Sequence, residues 1–264
     1  MERVAVNGIE LEAEMVGSGE PVLLIHGGFT PAWQPLLREP VLTERYRLIN
    51  YHRRNFAGST HASNTNEDHL ADALALLRHY GVERAHVAGH GGSGNMALRL
   101  ALDAPDVVHS LLLLEAAVPA PEEVPLPSFE GARQAEAKGD WPGMVREFLQ
   151  AAMGEGYDAW DRGLPAGWFE QAVADQAWIR GHNPPPGLPI TWSPEVAQRI
   201  TQPALLVLGD RSFPWWRERH EHLLRSLPHA EPFVLAGATH ALQFMNPRGL
   251  AEGLVAFMSR HPMS

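Results

Sequence analysis

With 264 residues, 45% of them hydrophobic and 20% charged, the chain has ordinary globular composition and excludes disorder along its whole length. Subtracting 31 acidic from 21 basic residues leaves a net charge of −10, which repels phosphate backbones and anionic lipid and argues against nucleic-acid or membrane partners. The lack of cysteine excludes a disulfide framework, a thiol nucleophile and a Cys-ligated metal, and suits a reducing cytoplasm.

In chain order, Met1-Glu2-Arg3-Val4 carries no apolar signal core, and nowhere do about 18 apolar residues follow one another, so a soluble, unprocessed, cytoplasmic chain is expected. Apolar runs at Val22 to Ile25, Leu111 to Leu114 and Ala204 to Leu208 are too continuous for half-exposed strands and fit strands covered on both faces. Between them, Leu70, Ala73, Leu74 and Leu77 mark a helix over 67–80, with Thr65 placed to cap its start and Gly81 to end it. Strand followed by helix, repeated, predicts an α/β fold with a mostly parallel sheet and helices on both faces. The loops at the carboxyl ends of such strands converge on one edge, where chemistry is expected. From 119 to 188 the alternation gives way to prolines, glycines and spaced tryptophans, which reads as an inserted helical cap dividing a core of 1–118 and 189–264. A last strand at Pro232 to Leu235 and a helix from Pro247 to about Arg260 close the chain.

Two turns stand out. After Ile25 comes His26-Gly27-Gly28-Phe29, where positions without a side chain let a backbone N–H face a site closely. A strand, a glycine-dense turn and an amphipathic helix then run from Val87 to Ala101 through Gly89-His90-Gly91-Gly92-Ser93-Gly94-Asn95, the arrangement of a nucleophile elbow. It resembles the α/β-hydrolase pattern Gly-His-Ser-x-Gly-Gly-x-x-Ala-Leu-x-Leu-Ala, matching at Gly89, His90, Gly94, Ala97, Leu98, Leu100 and Ala101. The resemblance extends to Arg53-Arg54-Asn55-Phe56-Ala57-Gly58-Ser59 and to Gly237-Ala238-Thr239-His240, and so covers most of the chain outside the expected cap. It implies an α/β-hydrolase fold with no cofactor or metal. The implied activity is hydrolysis of a hydrophobic carboxylic ester or lactone by a nucleophile, a histidine base and an acid.

The register puts Gly91 where the family keeps its serine, and a glycine cannot attack a carbonyl. Ser93 offers a second register that lacks the final glycine. The resemblance assigns His240 as general base and the N–H groups of Gly28 and Gly92 as oxyanion donors. Its usual acid position holds Ser212, which leaves Asp210 or, at the end of the Leu111 to Leu114 run, Glu115. A carboxylate ending a buried strand needs a partner, and His240 is the natural one. Phe29, Trp33, Trp141, Trp168, Trp178, Trp215 and Trp216 supply aromatic area for a pocket taking a small hydrophobic or aromatic substrate, in a monomer or homodimer. Three functional readings stay open: a hydrolase whose serine has been replaced, an enzyme that natively uses its histidine and acid for lyase, cyclase, decarboxylase or water-activated chemistry, and a non-catalytic small-molecule binder.

Overall fold

The computed structural model describes residues 1–118, 128–182 and 191–263. Strands β1 (Glu2–Val6), β2 (Ile9–Val16), β3 (Glu20–Ile25), β4 (Tyr46–Tyr51), β5 (Ala85–His90), β6 (Val108–Leu114), β7 (Ala204–Gly209) and β8 (Ala230–Leu235) form one sheet in the order β1-β2-β4-β3-β5-β6-β7-β8. β1 pairs antiparallel with β2, and β2 with β4, while every pairing from β4 to β8 is parallel. β1, β2 and β4 have no counterpart among the strands expected from the sequence. The first two are joined by Asn7-Gly8, both at positive φ (48° and 78°), the turn chemistry of a tight hairpin.

The main helices are α1 (Asn66–His79), α2 (Gly92–Asp103), α3 (Glu130–Ala137), α4 (Trp141–Met153), α5 (Tyr157–Gly163), α6 (Trp168–His182), α7 (Pro214–Ser226) and α8 (Pro247–Arg260). α1 begins where expected: the Thr65 side chain accepts from the Asp68 N–H and the Asp68 carboxylate accepts from the Thr65 N–H, a complete capping box. The long apolar runs are explained by burial on both sheet faces. Leu111 and Leu113 of β6 join α1, α2 and α7 in one hydrophobic layer, and Leu112 and Leu114 join α8 in the other. Each such leucine contributes about 1.5–3 kcal/mol by leaving water.

Between β6 and β7, α4, α5 and α6 pack Met144, Leu149, Trp160 and Trp168 into a third cluster that includes Phe29 and Ala32 from the loop after β3. The cap boundaries expected at 119 and 188 lie outside the described residues. The parallel register aligns Ile25 with Gly89, His90 with Leu114, Leu114 with Val207 and Gly209 with Leu235, so five strands end along one edge.

Candidate active site

Five loops leave that edge, and their first residues build the site. Gly91 follows β5 directly, at φ 57° and ψ −122°, and is the N-cap of α2. Its N–H donates to the Leu114 carbonyl (3.0 Å) and its own carbonyl accepts from the Ala117 N–H (3.0 Å), which pins the elbow to the end of β6. The glycines around it are dictated by crowding: a side chain at Gly94 would collide with Ala116, and one at Gly89 with the Ser93 backbone. At Gly91 the surroundings differ, because a Cβ there would meet only His240, 3.3 Å from Nε2 and 3.4 Å from Cε1.

His240 lies in the loop after β8 and is 6% exposed. Its Nδ1 is 2.7 Å from Oε2 of Glu115, which follows β6 and is 3% exposed. Glu115 adopts φ 42°, a left-handed conformation uncommon for a residue with a side chain. Its other oxygen, Oε1, accepts the Gly209 N–H (2.8 Å) and the Ser212 hydroxyl. Burial pushes Glu115 up to about 7 against the pull of those two donors, and burial holds His240 down to about 3, so its imidazole is neutral at neutral pH. The ring stacks on Trp216, parallel to it at 3.8 Å, and also meets His90, tilted at 4.3 Å. His90 Nε2–H donates to the His240 carbonyl (2.9 Å), and His90 itself is held down to about 3 by burial.

These residues line a cavity of about 280 Å³, walled by Gly27, Gly28, Phe29, Ala32, His90, Gly91, Gly92, Ala117, Phe129, Phe148, Ala152, Met153, Trp160, Trp215, Trp216 and His240. Among the described residues the wall is apolar and aromatic, and its titratable side chains are the two neutral histidines. The site thus places a neutral imidazole with a carboxyl on its far nitrogen against an elbow position that has no side chain, with Gly28 and Gly92 lining the same cavity.

A model of the Alpha/beta hydrolase family matches residues 22–252. The chain belongs to the alpha/beta hydrolase family. Over 119 residues the chain is 31% identical to a fluoroacetate dehalogenase from Burkholderia sp, a match covering 42% of this chain and 39% of that one. It is 27% identical over 233 residues to a protein named "Putative carbamate hydrolase RutD" from Stutzerimonas stutzeri, covering 81% of this chain and 82% of that one. Matches to the first relatives span only about two fifths of their lengths. Among solved structures, naproxen esterase from Bacillus subtilis shares the fold at TM-score 0.79 and 22% identity, over 97% of this chain and 90% of that one.

The fold brings together Gly28, Gly91, Gly92, Glu115 and His240, and sets the two other catalytic candidates, Asp210 and Ser93, outside the cavity. The Asp210 side chain is exposed and accepts from the Ala238 N–H (3.2 Å), so it is not the group on His240. The Ser93 hydroxyl is buried, donating within reach of the Ile25 (2.6 Å) and His90 (3.0 Å) carbonyls and accepting the His90 N–H (2.9 Å). It braces the elbow and does not face the cavity.

Of the aromatic residues expected in the pocket, Phe29, Trp215 and Trp216 line it. The other four correct that expectation. Trp33 is 0% exposed beneath the sheet with α8, because its 3-10 turn directs it to the core. Trp168 is buried in the third cluster, and Trp141 packs at the margin of the same cluster. Trp178 is stacked between His61 and His182. Phe129, Phe148, Met153, Trp160 and His90 also line the cavity without having been expected there, although His90 carries its own signal as the residue before the nucleophile position. Among the described residues no helix is long and apolar enough to cross a membrane.

Proposed function

We propose that this chain acts on a neutral, hydrophobic carboxylic ester or lactone with His240 as general base, Glu115 as its partner and water as the nucleophile. One observation carries the reading: the outward nitrogen of a buried, carboxyl-paired histidine faces an elbow position that has no side chain, at a distance where a serine would touch it. In a relative with serine, that hydroxyl would give its proton to the histidine and attack the carbonyl. Here a water molecule in the same place gives its proton to His240 Nε2 while its oxygen attacks the carbonyl carbon. The resulting oxyanion is met by the N–H groups of Gly28 and Gly92, and the alcohol leaves with the proton returned by His240. The apolar wall favours a neutral acyl group, since a charged one would meet no opposite charge among the described residues that line it.

The deciding comparison sets the chain against Gly91→Ser and His240→Gln on p-nitrophenyl butyrate, phenyl acetate and a γ-lactone. Gly91→Ser is expected to raise turnover by orders of magnitude, and His240→Gln to abolish it in both backgrounds. If serine adds nothing and His240→Gln leaves activity unchanged, the ester-hydrolysis reading is wrong. Retained ligand binding without turnover would then identify a binding protein.

A further inference from the structure

The candidate oxyanion donor at Gly28 belongs to the peptide unit formed by the Gly27 carbonyl and the Gly28 N–H, and that carbonyl is doubly held from behind. Arg53 Nη2 donates to the Gly27 oxygen at 2.7 Å, and Arg53 Nε donates to the His26 oxygen at 3.0 Å. His26 Nε2 lies 2.9 Å from the backbone nitrogen of Arg53. A backbone N–H can only donate, so Nε2 is the acceptor and the imidazole proton sits on Nδ1, which donates to the same Gly27 oxygen at 2.9 Å. Burial and the charge of Arg53 hold His26 well below its ordinary value, so the ring stays neutral in this tautomer. Arg53 is lowered by burial to about 10 and is still charged at neutral pH. Its guanidinium also lies 4.7 Å over the Phe56 ring, and Phe56 in turn meets His26 edge-on at 4.8 Å, which fixes the fork in place.

We infer that Arg53, acting with His26 on the Gly27 carbonyl, is a positioning residue that aims and polarises the Gly28 N–H toward a developing oxyanion. The inference rests on the reading of Gly28 as an oxyanion donor. Hydrogen bonds to a peptide carbonyl draw electron density toward oxygen and strengthen the N–H of the same unit as a donor, and here the bond comes from a charged group. The effect matters only when negative charge develops, so it belongs to the transition state and not to substrate binding. On the far side of Gly28, Gln176 Nε2 of α6 donates to the Gly28 carbonyl (2.9 Å), so the peptide on each side of Gly28 is held by a side chain.

The test uses Arg53→Met and Arg53→Lys, each alone and combined with Gly91→Ser, on p-nitrophenyl butyrate. Arg53→Met is expected to lower kcat about 10-fold or more with KM changed less than about 2-fold, and Arg53→Lys, which keeps a cationic donor, to recover part of the loss. A loss confined to KM, or no loss, overturns the inference. If no member of the series turns over the ester, the proposed reaction has failed and amide NMR decides this point alone. With 15N-labelled glycine and histidine, Arg53→Met should shift the Gly28 amide proton upfield, while the His26 nitrogens report Nδ1 protonation in the unsubstituted chain. An unmoved Gly28 resonance, or a His26 proton on Nε2, overturns the inference.

Discussion

Gly91 at φ 57° and ψ −122° occupies backbone space that costs a residue with a side chain about 1–3 kcal/mol. Gly91→Ser should therefore lower the unfolding free energy by roughly that amount while raising hydrolysis, and chemical denaturation of the two proteins checks the first half. Glu115, raised to about 7 by burial, assists His240 best as a carboxylate, so turnover should climb as pH rises through about 7. Ser212 donates to that carboxylate and pulls it downward. Ser212→Ala should then move the acid limb of the pH–rate profile to higher pH, and an unmoved or lowered limb would count against the role given to Glu115. Ser212 stands where a sequence comparison looks for the acid, and the structure accounts for its presence as a donor to an acid held on the neighbouring strand. Glu115 was legible because a carboxylate ending an uninterrupted leucine run has few tolerable partners. The tryptophans were not, because residue type gives bulk and apolarity but no direction: Trp33 and Trp160 are alike in sequence, yet one fills the core under the sheet and the other walls the cavity.

At the scale of elements, the strands buried on both faces and α1 with its capping signals could be read from the chain because each rests on local physics. The β1–β2 hairpin had its own local signal in Asn7-Gly8 and in the alternation Ile9-Glu10-Leu11-Glu12-Ala13, of which Leu11 and Ala13 face the core. The arrangement of α3 to α6 was not legible, since it depends on contacts distant in sequence. α6 is tied to the core by two such contacts, Gln176 to the Gly28 carbonyl and the Ala57 N–H to the Asp175 carboxylate (2.9 Å). Gln176→Ala should release about 1 kcal/mol of docking and speed amide hydrogen exchange across α6 more than across α1. At the other end of the scale of locality, Thr65→Ala removes half of the capping box and should cost about 1 kcal/mol of global stability, seen as a lower denaturation midpoint with an unchanged slope.

Over the whole molecule the notable charge feature is the number of neutral buried histidines. His26, His69, His86, His90 and His240 are all held below the ordinary value of 6.5, chiefly by burial. The unfolded chain takes up protons at these positions as pH falls below about 6.5, and the folded chain does not. Stability is therefore fully present above that pH and is lost as it falls, by about 1.4 kcal/mol per pH unit for each histidine engaged. Glu115 acts in the opposite sense, favouring the fold less and less as pH rises from its ordinary 4.5 to about 7, and buried Asp175, also raised, joins it, but the buried histidines held down, His220 among them, outnumber these two. Denaturation midpoints measured from pH 7.5 to 5 should fall steeply, and a flat profile would contradict the neutral state assigned to these rings.

The missing side chain at Gly91 also sets what kind of intermediate can exist. With nothing at the elbow to carry an acyl group, the proposed hydrolysis is a direct attack of water, so no burst of released p-nitrophenol is expected and added alcohols should not intercept a shared covalent species. Fluorophosphonate reagents, which report serine hydrolases by bonding to their nucleophile, should leave this chain unlabelled and mark Gly91→Ser. A survey of hydrolases made with such reagents would pass over a chain that reacts as proposed, whatever its histidine and carboxylate do.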